Sequence, residues 1–311
     1  SAGPLQWRRP MTVKETDRLA IAVQKSGRLN EKSLALLGQC GLTFDAVKWK
    51  EKLVLRCSDF PVDLMMVRDD DIPEYVASGT CEMGIVGENV LEERARSGAH
   101  GAGEIEVLRK LGFGRCRLSL AVPAAAKFDG PKSLDGKRVA TSYPGLLGAF
   151  LEDQAIRAEI VTLSGSVEIA PSLHIADAVC DLVSTGSTLH SNGLREVLTV
   201  FESQAVLIGT RREVSPLAAE ARRKILVRVD GVRQAAKSKY IMMNAPKTAL
   251  PAIQKIIPGM EEPSIMPLGT SGERIAIHAV AREDVFWDTI EKLKAVGASS
   301  ILVLPIEKII S

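Results

Sequence analysis

Aromatic residues are scarce in this chain: Phe, Trp and Tyr make up 4% of its 311 residues. That scarcity removes the stacking platforms on which single-stranded nucleic acid is held. An excess of one charge is equally lacking. Forty basic residues against 38 acidic ones leave a formal net charge of +2, with no basic tail, so nucleic acid is not an expected partner. Histidine occurs four times (His100, His174, His190, His278), without metal-ligand spacing, and each is expected to be structural or solvated. H-E-x-x-H, G-x-S-x-G and Walker A patterns are absent, which leaves a zinc hydrolase, a serine hydrolase or a P-loop kinase without support. No apolar run approaches the roughly 18–20 residues of a membrane span. The opening "SAGPLQWRRPMTVKETDR" has no apolar core of a secretory signal. The five cysteines (Cys40, Cys57, Cys81, Cys116, Cys180) are scattered and form no CxxC pair. They suit small buried side chains in a reducing compartment better than disulfides or zinc. The expectation is a cytoplasmic protein without a membrane partner, preceded over residues 1–17 by a leader.

What the chain does have is 46% hydrophobic and 25% charged residues, an ordinary globular composition over a length suited to two or three domains. Short apolar runs alternate with helical patterns. "RLAIAV" (18–23), "VDLMMV" (62–67), "EMGIVG" (82–87) and residues 178–183 read as strands. "NEKSLALLGQC" (30–40) reads as a helix capped by Asn30 and ended by Gly41. Asp71-Ile72-Pro73 reads as a cap followed by proline in the first turn. Such alternation predicts βαβ units and mostly parallel sheets. A second α/β unit begins near "RCRLSLAVP" (115–123) and continues through "KRVATSYPG" (137–145) and a helix near 146–157, so two lobes with a cleft are expected. A long helix from Ser215-Pro216 to about Lys237 follows. From residue 239 the order is β-α-β-β-α-β, the ferredoxin-like pattern. Its last helix, 283–297, puts Phe286, Ile290 and Leu293 on one face and stops at Gly297.

Three strand-end loops carry the chemistry. In "DLVSTGSTL" (181–189) an apolar run stops at Ser184, Thr185, Gly186, Ser187 and Thr188. This is either a hydroxyl-rich turn or a cradle in which backbone N–H groups converge on a phosphate, with Asp181 beside ribose hydroxyls or magnesium. In "QKSGRL" (24–29), Lys25 and Arg28 flank Ser26-Gly27, either a solvated turn or a basic loop for anionic oxygens. In "VRDDDIP" (67–73) three carboxylates adjoin Arg68; capping would account for Asp71 but not for Asp69 and Asp70. Ligands of open α/β sheets bind beyond the carboxyl ends of strands, so Gln24–Arg28, Arg68–Asp71, Gly87–Asn89, Ser142–Tyr143 and Ser184–Thr188 are the loops to watch.

"IAVQKSGRL", "VRDDDIP", "GIVGENVLEE", "RLSLAVP", "ATSYP", "GSVEIAP", "ADAVCDLVSTGSTL", "KSKYIMMNAP" and "GASSILVLPIEK", in this order, resemble the long form of the ATP phosphoribosyltransferases over about residues 18–308. The resemblance implies a two-lobed core like a periplasmic binding protein plus a C-terminal ferredoxin-like regulatory domain. The boundaries it implies are lobe I at 18–116 and 194–225, lobe II at 117–193 and the regulatory domain at 226–311. It implies the first step of histidine biosynthesis: adenine N1 of ATP attacks C1 of phosphoribosyl pyrophosphate (PRPP), and pyrophosphate leaves with Mg2+. The PRPP set would be Glu168, Asp181, Ser184, Thr185, Gly186, Ser187 and Thr188, with Asp181 and Glu168 near the PRPP-bound magnesium. The ATP set would be Lys25, Gly27, Arg28, Arg68, Glu88 and Tyr143. Histidine, as feedback inhibitor, would meet Asn244, Ser264, Ala298, Ser299 and Ser300, and AMP is a further candidate ligand. Self-association to dimers and hexamers is implied, and no residue is expected to act as a covalent catalyst.

One position departs from the signature, which has glycine where this chain has His174; a need for positive φ there would strain histidine. Three rival readings remain. One is a phosphoribosyltransferase for another base. A non-enzymatic two-lobed binding protein is the second, but nothing in it calls for a phosphate cradle plus a basic loop. A LysR-like regulator, the third, needs a helix-turn-helix for which residues 1–18 are too short.

Overall fold

Leu19, Ile21, Ala22 and Val23 are fully buried in one strand, as an unbroken apolar run requires when both faces of a sheet are covered. Around that strand the computed structural model describes residues 18–44, 53–98, 101–257, 263–270, 272–282 and 286–310. The expected leader, His100 and the start of the helix expected from 283 lie outside them, as do the side chains of Arg28 and Phe286. In chain order come β1 (Leu19–Gln24), α1 (Arg28–Gln39), β2 (Val54–Arg56), β3 (Val62–Val67), α2 (Ile72–Ala77), β4 (Met83–Gly87), α3 (Glu88–Arg96) and β5 (Ile105–Lys110). They are followed by β6 (Cys116–Pro123), β7 (Arg138–Thr141), α4 (Pro144–Asp153), β8 (Glu159–Thr162), β9 (Ala178–Val183), α5 (Ser187–Ser191), β10 (Leu194–Ser203) and β11 (Ala205–Thr210). The rest is α6 (Pro216–Ala235), β12 (Ser238–Pro246), α7 (Leu250–Ile256), β13 (Ser264–Leu268), β14 (Arg274–Arg282), α8 (Phe286–Ala295) and β15 (Ser299–Pro305).

Three sheets result, ordered β2-β3-β1-β4-β11-β5, β10-β6-β9-β7-β8 and β13-β14-β12-β15. The first two are mixed rather than mostly parallel. β1 is parallel to β3 and β4, and β7 to β8 and β9. The chain crosses between the lobes twice, and its return reverses the pairing: β10 lies antiparallel on β6, and β11 inserts antiparallel between β4 and β5. The third sheet is antiparallel throughout, the ferredoxin-like arrangement expected. Residues up to 35 with 42–222 form one compact unit, and 36–41 with 223–311 the other.

Local chemistry explains the element ends. Gly41, at φ +77, follows the end of α1 as a left-handed C′ residue. Asn30 does not cap α1; it lies within the first turn, and its Nδ2 donates to the carbonyl of Gln24 at 2.5 Å. Asp71 precedes α2 but makes no side-chain capping bond, because residues 69–71 already form a 3-10 turn that carries the chain into the helix. In α8, Leu293 is buried and Ile290 half-buried, and Gly297 terminates it at φ +93. Cys40, Cys57, Cys81 and Cys180 are buried free thiols; Cys116 is half-buried. Burial pushes the Cys40 thiol up to about 11 and Cys81 to about 12, so both stay protonated and inert. Among the described residues no helix is long and apolar enough to cross a membrane.

Candidate active site

Parallel pairing brings strand ends to a common edge. β1, β3 and β4 end at Gln24, Val67 and Gly87, so the loops bearing Lys25, Arg68 and Glu88 emerge side by side. The Lys25 amide donates to the Val67 carbonyl at 2.8 Å, which ties the basic loop to the acidic one. Gly27 adopts φ +100, a conformation that favours glycine and lets the loop turn into α1. In the second lobe β7 and β9 end at Thr141 and Val183, and Ser142–Tyr143 and Ser184–Thr188 leave the same edge. All five loops singled out from the sequence follow the carboxyl ends of strands.

The signature loop is short and open. Gly186 takes φ +83 and leads into the single turn of α5, with Thr185 Oγ1 and Ser187 Oγ 3.1 Å apart. Ser184, Thr185, Ser187 and Thr188 are exposed. Glu168 lies in a 3-10 turn, 167–169, entered through Ser166 at φ +51. His174 adopts φ +56, so the position does use the conformation that a glycine would meet without strain. Asp181 is held above its usual carboxylate range, chiefly by burial, with the Glu168 charge adding to the effect. A bond from the Leu182 amide, 2.7 Å, opposes that rise.

The two strand edges meet through α3 and α4. Glu93 accepts hydrogen bonds from the Gly145 and Leu146 amides, 2.7 and 2.8 Å, so a carboxylate of lobe I caps the helix of lobe II. Gly145 permits this approach, because a Cβ there would press on Glu93 Oε1, the Arg96 Cβ and Ser97 Oγ at 3.0–3.2 Å. Asn89 Nδ2 donates to Tyr143 Oη at 3.1 Å. Burial pushes the Tyr143 phenol well above its ordinary value; the Asn89 bond pulls it down, and the charges of Asp70, Asp69 and Asp181 push it up. Tyr143 thus feels carboxylates from both lobes. Asp70 is itself raised, by burial first, then by Asp69 and Asp71, against Arg68.

Glu88 is engaged in an ion pair with Lys110 Nζ at 2.7 Å. Both line a cavity of about 560 Å3 with Arg115, Cys116, Arg117, Ser184 and Ser203, so residues expected on the ATP and PRPP sides border one space. The sequence reading missed Lys110, Arg115, Glu93 and Ser203, and had Asn89 only as the end of a loop to watch. Asn89 and Glu93 stood in the quoted "GIVGENVLEE", but nothing in that motif names partners in another lobe. Among the described residues no group of three or more His, Cys, Asp or Glu side chains could hold a metal by itself.

Asn244, Ser264, Ala298, Ser299 and Ser300 belong to the other unit. Asn244 pairs with Ser299 across β12 and β15, and Ser299 Oγ accepts from Arg274 at 2.8 Å. Ser264 lies opposite His278, which lies opposite Met242. Ser300 has φ +50, and Ala298 is buried. Asn244 Oδ1 and His278 Nε2 are buried side-chain atoms without a hydrogen-bond partner.

Two family models match the chain: ATP phosphoribosyltransferase over residues 68–231 and the HisG C-terminal domain over 235–308. Among solved structures, the ATP phosphoribosyl transferase (HisG:HisZ) complex from Thermotoga maritima is similar at 25% identity, covering 68% of this chain and 93% of that one, with a TM-score of 0.53. The alkanesulfonate-binding protein SsuA from Xanthomonas axonopodis pv. citri bound to MOPS is a looser likeness, at 17% identity, 70% and 74% coverage and a TM-score of 0.44. By two consecutive family matches that leave only its N-terminal fifth and a few linking and terminal residues uncovered, the chain belongs to the ATP phosphoribosyltransferase family, pentosyltransferases of histidine biosynthesis.

Proposed function

We propose that the chain transfers the 5-phosphoribosyl group of PRPP to N1 of ATP in the cleft between the facing strand edges. The C1–O bond to pyrophosphate breaks, the leaving oxygen keeps the electron pair, and adenine N1 forms the new bond with inversion at C1. The product is N1-(5-phospho-β-D-ribosyl)-ATP. The observation that carries this reading is the pairing of an exposed Ser184–Thr188 cradle around Gly186 with a basic and acidic loop pair in the other lobe.

The division of labour follows from residue chemistry. Amides and hydroxyls of Ser184, Thr185, Gly186, Ser187 and Thr188 suit the 5-phosphate, since they supply donors without a counter-charge. Asp181 and Glu168 suit ribose hydroxyls or magnesium. Burial, with the Glu168 charge adding to it, raises Asp181, and a divalent cation would favour the charged carboxylate. Two protein oxygens are few for Mg2+, which commonly combines one or two carboxylates with substrate phosphates and water. When bound, the ion would neutralise charge on the departing pyrophosphate. Lys25, Gly27, Arg28, Arg68, Glu88 and Tyr143 form the ATP side. Adenine N1 is already nucleophilic, so orientation and charge stabilisation dominate and no covalent intermediate is required.

Histidine feedback belongs to the C-terminal sheet in this reading. Asn244 and His278 stand at alternate positions of β12 and β14 that share one sheet face, each with an unmet polar atom. His278 borders a cavity of about 660 Å3 with Tyr240, Ser264 and Met266. A zwitterionic amino acid would supply the missing partners. AMP as a further ligand, and dimers and hexamers, complete the proposal, with lobe II as the PRPP-binding part; its sheet takes in β10 and so runs beyond the expected 117–193. Incubation with ATP, PRPP and Mg2+ should yield phosphoribosyl-ATP and pyrophosphate by mass spectrometry, and histidine should slow it. Product only with another base, or no product, would contradict the reading.

A further inference from the structure

A chain of hydrogen bonds runs from the end of β10 to Tyr143. Ser203, the last residue of β10, and Asn89, near the start of α3, are each 5% exposed. The Asn89 amide N–H donates to Ser203 Oγ at 3.0 Å. That backbone bond leaves the serine its own proton, which it donates to Asn89 Oδ1, 2.7 Å away. The carboxamide oxygen therefore faces Ser203, and Nδ2 is left to donate to Tyr143 Oη. The phenol oxygen receives a proton on that side, and its own proton points elsewhere. A satisfied buried chain of this kind holds one orientation.

Glycine at position 87 leaves the carboxamide its place. A Cβ on Gly87 would collide with Asn89 Oδ1, although the backbone there, at φ −71 and ψ 140, suits any residue. Asn89 and Glu93, one helical turn apart on α3, thus reach across to Tyr143 and to the amides at the start of α4. Burial and the nearby carboxylates keep the phenol protonated, so it remains a donor.

We propose that Asn89, anchored by Ser203, is a positioning residue that sets the Tyr143 hydroxyl as a hydrogen-bond donor to a ribose or phosphate oxygen of a bound substrate. This rests on the phosphoribosyl-transfer reading above, and it adds a role for a residue outside the substrate sets.

The test uses the full chain with carbon-13 at the hydroxyl-bearing ring carbon of tyrosine. The three tyrosines, Tyr75, Tyr143 and Tyr240, give three resonances, and Tyr143→Phe identifies one by its loss. Asn89→Ala and Gly87→Ala should each move the Tyr143 resonance while the other two stay. An unmoved resonance in both overturns the proposal. This arm needs no turnover, so it decides the Asn89–Tyr143 link even if phosphoribosyl-ATP is never formed, a result that sinks the functional reading instead. With turnover, Asn89→Ala and Tyr143→Phe should each lower kcat/KM about tenfold, the size of one lost hydrogen bond. The double variant should also stand near tenfold. Losses that multiply to about a hundredfold would mean Asn89 acts on the fold rather than through Tyr143, and would contradict the proposal.

Discussion

The two lobes face the same cleft with opposite means. Lobe I offers charged side chains on its strand ends: Lys25, Arg68, the carboxylates Asp69 to Asp71, and Glu88 already paired with Lys110. Lobe II offers mainly a backbone, turned by Gly186 and hung with four exposed hydroxyls, plus a half-buried Asp181 crowded by Glu168. Side chains on flexible stems adapt to a ligand; amides in a tight loop define the distance and direction of what they hold. The difference is the basis for proposing that the sugar phosphate sits on lobe II and the nucleotide on lobe I. It also explains why Tyr143, a lobe II residue bonded to Asn89 of lobe I, is where the two chemistries touch.

The contrast breaks most sharply in the cradle. Thr185→Leu should raise the KM for PRPP so that kcat/KM falls about a hundredfold, roughly two hydrogen bonds, while the KM for ATP changes little. The residue is exposed, so the melting midpoint should hold. Equal losses for both substrates would erase the division between the lobes.

A middle-sized effect comes from Asp181→Asn. Because the folded pKa of Asp181 is raised, the native state binds the proton more readily than the unfolded chain, and stability falls as pH rises through the interval from about 4 up to that raised value. The variant should therefore melt higher than the parent at pH 7, and the gain should vanish below pH about 4. Activity should demand several-fold more Mg2+. An unchanged melting curve at both pH values would contradict a carboxyl raised by burial beside Glu168.

His174→Gly should act least. Histidine at φ +56 costs roughly 1 kcal/mol, and glycine returns part of that through its larger unfolded freedom. The midpoint should rise by no more than about 4 °C, with kcat/KM unchanged. A fall in stability would show that histidine is held there by something other than tolerance.

Legibility followed local pattern. β3 and β9 stand at the bounds read from the sequence, because an unbroken apolar run marks a doubly covered strand. The returning strands went unread for equally local reasons. β10 slips register twice, between Glu196 and Leu198 and between Thr199 and Phe201, which destroys a period of two. With β10 and β11 unread, and with β2 on β3 and β6 on β9 also antiparallel, the alternation of strands and helices suggested parallel sheets that the pairing does not have. Asn30 had the residue type of a cap at the start of an apolar pattern, yet the helix begins two residues earlier and its side chain serves β1 instead. In the cleft, strand-end loops were legible from their glycines, hydroxyls and charges. The links between them were not. Asn89 meets Ser203 and Tyr143 at separations of 114 and 54 residues, and Glu93 meets Gly145 at 52. No spacing within a motif encodes such pairs.

The central claim is that the phosphoribosyl donor sits on the carboxyl edge of lobe II. Backbone hydrogen exchange with and without PRPP and Mg2+ tests it most directly, because the proposed ligands are amides. The account predicts slowed exchange over Ser184–Ser191, with little change over Ser238–Pro305. Protection confined to the C-terminal sheet, with Ser184–Thr188 exchanging as before, would contradict it.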